Sequence, residues 1–316
     1  MSEAETLKTR HVRSANSWRQ WLPLKGLHLG LRAQRWQRKR VEPSLEQARA
    51  SLDKLGEKRF NALPGLSYRA EKIDHLNLEW MTPHSGPVNK VIFYLHGGGY
   101  CLGSIQAYRP MMSRVAYSSQ RQLCAVDYRL APEYPYPAGL DDALQVYRVL
   151  LERFGAESIV VMGDSAGGGL SLALLLRVMQ QKLEQPAGLV LLSPWTDLTL
   201  QSPSLYSHAK RDPLFSLSEF SEVISGYVQE NDPSNSLISP VFGDFIGFPP
   251  TFIQVGTEEI LIDDSLRLVK ALNRDQVVGE LEIWQGMSHV WQFYAPLLEA
   301  SCQAIDHIAT FTKSKI

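Results

Sequence analysis

The chain has 316 residues, 44% of them hydrophobic, and a formal net charge of −1. That is enough apolar material for one large core, and the near-neutral balance excludes a global field that would draw the chain to nucleic acid. Three scattered cysteines (Cys101, Cys124 and Cys302) argue against a disulfide framework or metal site and for a reducing, cytoplasmic compartment, while neither a basic-then-apolar leader nor an apolar run of about 18 residues is present.

Residues Lys8 to Arg40 contain ten Lys or Arg and no Asp or Glu; setting these ten against the net −1 leaves −11 on the remainder. Trp18, Trp21, Leu22, Leu27, Leu31 and Trp36 are interleaved with the charges. One reading is a pair of cap helices that bury Trp and Leu over a pocket mouth. The others are weak docking to an anionic membrane surface or a patch for an acidic partner. Pro23, Gly26 and Gly30 are expected to break any long amphipathic helix here. From about Glu71 to Met81 the pattern predicts the first, antiparallel strands.

Beyond residue 88 the chain alternates between strand and helix signals, which implies a mostly parallel sheet covered on both faces. The run Lys90 to Leu95 (KVIFYL) reads as a buried strand. A helix near Tyr108 to Ser118, a strand over Leu123 to Tyr128 and a helix over Leu140 to Phe154 follow. The strand Ser158 to Met162 leads into a helix reaching about Gln185, and Gly188 to Leu192 is another buried strand. Between 197 and 250 the rhythm stops, with six prolines and one helix around Ser218 to Gln229; such an insertion is the natural place for a lid. Thr251 to Val255 reads as the penultimate strand, Leu266 to Asn273 as a helix and Gly279 to Gln285 as the last strand.

Three stretches carry chemistry. Gly163-Asp164-Ser165-Ala166-Gly167-Gly168 lies between a strand and a helix, so glycines two residues either side of Ser165 let the arms of a tight turn pass closely. The serine can then sit in a strained conformation with its oxygen exposed above a helix N-terminus, as a nucleophile. His96-Gly97-Gly98-Gly99 follows a strand, and three consecutive glycines make sense if backbone N–H groups must meet a ligand. Gly98 and Gly99, with Ala166 after the serine, are candidate oxyanion donors; His96 is expected to orient this loop rather than act as a base. His289, alone of eight histidines, follows the last strand, where an α/β-hydrolase carries its base. The acid should lie just past the strand ending at Val255, where Glu258, Glu259, Asp263 and Asp264 compete. Asp263 and Asp264 look like the opening of a helix, which leaves the glutamates.

These motifs resemble the hormone-sensitive-lipase-like (family IV) esterases of the α/β-hydrolase fold. The likeness runs over about residues 88 to 312. It rests on HGGG at 96–99, GDSAGG at 163–168 and Asp127-Tyr128-Arg129-Leu130-Ala131-Pro132-Glu133 continuing to Ala138. The resemblance implies an eight-stranded, mostly parallel sheet with helices on both faces and a helical cap, and ester hydrolysis without a cofactor. Its acid pattern, G-x-x-D-P-L-x-D-E, places Glu259 on the acid, with Glu for Asp and Ile260 for Pro. The expected organisation is an N-terminal helical cap segment over 1–70 and a catalytic domain over 71–316, with 197–250 as the cap or lid insertion. The expected activity is a serine carboxylesterase acting on short- to medium-chain esters through an acyl-enzyme, by Ser165, Glu259 and His289. An amidase or deacetylase with the same triad, a non-catalytic small-molecule receptor and a homodimer stay open.

Overall fold

The structure is a computed structural model that describes residues 7–13, 18–40, 43–59, 61 and 63–316. The chain begins with strand β1 (Lys8–Arg13) and helices α1 (Trp18–Arg40) and α2 (Leu45–Arg59). The hairpin strands β2 (Leu66–Ile73) and β3 (Leu76–Pro83) follow, then β4 (Val91–Leu95), α3 (Ile105–Ser119), β5 (Gln122–Asp127) and α4 (Ala138–Phe154). The elbow strand β6 (Ile159–Asp164) runs into α5 (Ser165–Gln180) and β7 (Gly188–Leu192) comes next. The chain then leaves the sheet for α6 (Ser204–Ser207) and α7 (Leu217–Val228). It returns with β8 (Thr251–Gly256), α8 (Ile262–Arg274), β9 (Gly279–Gln285) and α9 (Glu299–Lys315).

The strands form one sheet in the order β1-β9-β8-β7-β6-β4-β5-β3-β2. Its neighbours are parallel except where β3 runs against β2 and β5. Side chains alternate along each strand, so each central strand feeds both faces. Val91, Phe93 and Leu95 join the core with α4, α5 and α8, while Ile92 and Tyr94 join the one with α3 and α9. Both layers being buried explains why these strands read as unbroken apolar runs.

Two expectations for the N-terminal part need correction. The sheet has nine strands rather than eight, because Lys8–Arg13, expected in a helical cap, pairs in parallel with β9 from Lys8↔Glu280 to Arg13↔Gln285. An outermost strand faces solvent, so its sequence (KTRHVR) shows no apolar alternation. It is fixed instead by Glu282, wholly buried in β9, which accepts from Arg10 Nη2, His307 Nδ1 (2.8 Å), Gln254 Nε2 (2.9 Å) and Trp284 Nε1 (2.8 Å). Nor do Pro23, Gly26 and Gly30 break α1, which runs 23 residues with Pro23 inside it. Leu24, Leu27 and Leu31 pack it onto Trp284, Met287, Trp291 and Tyr294, and such tertiary burial outweighs local propensity.

Candidate active site

Strand β6 passes directly into α5, so Ser165 sits at the junction with φ of +51°. That left-handed conformation is unusual for a residue with a side chain and persists only when the surroundings enforce it. Here they do. A Cβ on Gly163 would stand 2.2 Å from the Gly167 carbonyl oxygen, and one on Gly167 2.1 Å from that of Leu95. Only glycine lets strand, turn and helix approach so closely. Trp195 N–H closes the far side by donating to the Ser165 carbonyl at 2.9 Å. The unsatisfied N–H groups of the first turn of α5 lie behind the serine and favour negative charge there.

The glycine loop after β4 is held by its carbonyls. His96 Nδ1 donates to the Gly97 oxygen at 2.8 Å, and the Gly98 oxygen accepts from Leu102 N (2.8 Å) and Cys101 N (3.2 Å). A trans peptide points its N–H opposite its C=O, so these bonds also set the direction of the Gly98 and Gly99 N–H groups. Gly98 has φ of +112°. Burial pushes the His96 pKa down to about 4; its ring is neutral, and the Nδ1 proton is engaged by the loop. The ring stacks on Tyr128 at 4.4 Å, whose hydroxyl donates to the His96 carbonyl at 2.7 Å. Beneath the loop, Asp164 Oδ1 accepts from Gly97 N (2.9 Å) and the Tyr94 hydroxyl (2.7 Å), and burial raises this carboxyl to about 6.

After β9, the loop carrying His289 meets the one that follows β8. His289 Nδ1 donates to Glu259 Oε2 at 2.8 Å. The other carboxylate oxygen accepts from Gly256 N at 2.6 Å and Ser193 Oγ at 2.8 Å, and Ser193 Oγ in turn accepts from Val290 N at 3.2 Å. Glu259 is wholly buried, so its partners alone define its orientation. Burial works against a charged His289, yet the bond and charge of Glu259, with Asp212 and Asp164 more distant, hold its pKa above the ordinary 6.5. Its second ring nitrogen, Nε2, has no hydrogen-bond partner among the described residues. The competing carboxylates are engaged elsewhere. Glu258 pairs with Arg211 at 2.6 Å, and Asp263 accepts from Ser204 N at 2.7 Å. Asp264, raised by burial to about 7, accepts from Thr196 N at 2.7 Å and Asp197 N at 2.9 Å. Asp263 and Asp264 do stand in the first turn of α8.

Ser165, His289, Gly98 and Gly99 all line one cavity of about 880 Å³, a volume suited to a small organic ligand. Its walls include Leu27 and Leu31 of α1, Leu52 of α2 and Phe220 of α7. Phe215 stands edge-on to His289 at 5.1 Å, and Asp212 fixes that stretch by accepting from Leu214 N (2.7 Å) and Phe215 N (3.0 Å). From α2, Arg49 donates to the carbonyls of Cys101 (2.8 Å) and Ala131 (2.9 Å) and pairs with both oxygens of Glu133 at 2.8 Å. Cys101 also lines the cavity, but burial pushes its thiol up to about 11, far from a thiolate at neutral pH. Among the described residues no group of three or more His, Cys, Asp or Glu could hold a metal ion.

The sequence reading did not single out Ser193, Asp212 or Arg49. Ser193 alone left a signal, as a polar residue at the end of a buried strand. The other two act on partners remote in sequence, which no local pattern marks.

A family model described as alpha/beta hydrolase fold matches residues 92–293. An esterase from Acinetobacter venetianus is 39% identical over 71% of this chain and 75% of its own length. An acetyl-hydrolase from Streptomyces hygroscopicus is 35% identical over 77% of this chain and 81% of its own. The crystal structure of an esterase from the bacterial hormone-sensitive lipase family superposes with a TM-score of 0.88 at 31% identity, covering 96% of this chain and 100% of that one. By fold, matched span and structural neighbourhood, the chain belongs to the α/β-hydrolase family, among the hormone-sensitive-lipase-like esterases.

Proposed function

We propose that the chain is a serine carboxylesterase that cleaves short- to medium-chain esters through an acyl-enzyme. The observation that carries this reading is the buried His289–Glu259 pair at 2.8 Å, on a cavity it shares with Ser165 at a strained elbow. Ser165 Oγ attacks the ester carbonyl while His289 Nε2 takes its proton. Glu259 holds the tautomer with the proton on Nδ1 and stabilises the imidazolium. The N–H groups of Gly98, Gly99 and Ala166 receive the oxyanion. Collapse of this intermediate expels the alcohol, protonated by His289, and a water activated by the same imidazole then releases the acid.

The relatives named esterase and acetyl-hydrolase support the ester class, and the cavity supports the chain length. Within residues 1–70 the helices α1 and α2 act as the cap, and the 197–250 insertion as the lid, over a catalytic domain at 71–316, enclosing a pocket instead of an open apolar plateau. Three free cysteines fit a cytoplasmic setting. Among the described residues no helix is long and apolar enough to cross a membrane.

A series of p-nitrophenyl esters with one anilide control tests the proposal. The highest kcat/KM is expected for acyl chains of roughly two to eight carbons, each added methylene contributing at most about 1 kcal/mol until the pocket is full. No jump is expected when substrate passes its solubility limit. A preference for long chains with interfacial activation would make it a lipase. A faster anilide would make it an amidase, and no turnover of either would favour a receptor.

A further inference from the structure

Helix α1 is apolar on two opposite faces. Leu24, Leu27 and Leu31, spaced by three and four, form the face packed on Trp284, Trp291 and Tyr294. Leu22, Leu29 and Trp36 are spaced by seven, two turns apart, and so share a stripe on the other side. They are 55%, 67% and 57% exposed. Single exposed leucines are ordinary on a protein surface, but three large apolar side chains aligned on one helix face are not.

The charge carried by α1 has one sign. Lys25 and Arg32, both exposed, each follow a stripe leucine by three residues and line one side of it; Arg32 also donates to the Arg211 carbonyl at 3.2 Å, and Arg35 is turned inward to the carbonyls of Ala209 and Asp212. Residues 18–40 carry seven Lys or Arg and no acid, while the chain outside 8–40 is strongly negative. An apolar strip edged by cations, on a helix that carries no acid, matches the headgroup boundary of an anionic bilayer, where apolar side chains insert and cations meet phosphate.

We propose that the outward face of α1, formed by Leu22, Leu29 and Trp36 with Lys25 and Arg32 along one side, seats the protein on an anionic membrane surface. The opposite side of the same helix supplies Leu27 and Leu31 to the cavity wall. A bilayer against the stripe therefore lies about one helix diameter, roughly 10 Å, from the cavity. Esters partitioned among the headgroups then become the local substrate pool. This last step rests on the esterase reading; the docking does not.

The test is sedimentation of the full chain with sucrose-loaded vesicles of phosphatidylcholine alone or with about a third phosphatidylglycerol. Binding is expected to the anionic vesicles, to weaken steeply as salt is added, and to be slight on phosphatidylcholine. Leu29→Glu with Trp36→Glu should lower the anionic partition at least about tenfold while p-nitrophenyl butyrate turnover is unchanged. Should that variant misfold, Lys25→Glu with Arg32→Glu reads the same face through charge alone. The proposal is overturned by equal or absent binding to both vesicle types, or by variants that bind as the parent does. It is equally overturned if the parent is a dimer that the stripe variant dissociates, since a second copy would then cover the face. Vesicle binding by a chain that hydrolyses no ester would leave the docking standing and remove the esterase reading.

Discussion

Replacing Glu259 by glutamine changes one atom in a wholly buried side chain, and the partners of that side chain determine the consequence. Oε1 accepts from Gly256 N–H at 2.6 Å, a donor fixed in the backbone. An amide nitrogen cannot accept that bond, and two donors at this distance repel. The glutamine must therefore turn its oxygen to Gly256 and its NH₂ to His289 Nδ1, which Glu259 Oε2 now meets at 2.8 Å. Nδ1 becomes an acceptor, the proton moves to Nε2, and the imidazole loses the lone pair that would take the Ser165 proton. A wrong tautomer in an intact site costs about 10³–10⁴ in kcat, roughly 4–5.5 kcal/mol. Asp263→Asn should leave kcat nearly unchanged, because Asp263 only accepts from Ser204 N in the first turn of α8, and should cost at most about 1 kcal/mol of stability. Steady-state kinetics on p-nitrophenyl butyrate, with a thermal melt of each variant, separate the two. If Asp263→Asn is the crippled enzyme, or Glu259→Gln keeps activity within tenfold, the assignment of the acid fails.

Ser165→Ala should lower turnover by roughly 10⁴–10⁶ without loss of fold, and a fluorophosphonate should label Ser165 alone; labelling at another serine would refute the elbow. The histidine pKa gives a pH prediction with a definite sign. The base must be neutral to act and Glu259 holds its pKa above 6.5, so kcat/KM should fall as pH drops through a value above 6.5. The acid limb should move to lower pH in Glu259→Gln, and a limb fixed between the two proteins would assign it to another group. Arg49→Met removes the fork that ties α2 to the Cys101 and Ala131 carbonyls beside the oxyanion loop. It should lower kcat about tenfold or more with little change in KM, and Arg49→Lys should not restore it, because an ammonium cannot reproduce the planar fork; a rise confined to KM would show that Arg49 shapes the pocket instead.

The part of the fold that could be read in advance is the part buried on both faces. VIFYL, Ile159 to Met162 and Gly188 to Leu192 are unbroken apolar runs because helices cover them on each side, and the observed strand bounds differ from the reading by a residue or two. The elbow and the glycine loop were legible because close backbone approach excludes side chains, and that exclusion is written locally as glycine. The choice among four carboxylates after β8 was not. Which of them faces His289 depends on where Thr196, Ser204 and Arg211 present their donors, all on the segment between β7 and β8. The N-terminal part misled for the opposite reason. Its propensities are real, but α1 survives Pro23 through contacts made by residues beyond 280.

Strand β1 also has a history in time. Lys8 pairs with Glu280 and Arg13 with Gln285, so the first strand of the sheet to be translated is the one whose neighbour is translated last. At ordinary rates of synthesis the interval is on the order of tens of seconds. Throughout it the basic end of the chain has no seat, and Glu282, still to come, has no Arg10. Once β9 is laid down, β1 shields a parallel edge that would otherwise offer free N–H and C=O groups to any passing strand. Removing those six residues would therefore be felt less in the chemistry at Ser165, across the sheet, than in the yield of soluble protein, because a newly finished chain would carry an open edge and a buried carboxylate short of its cation.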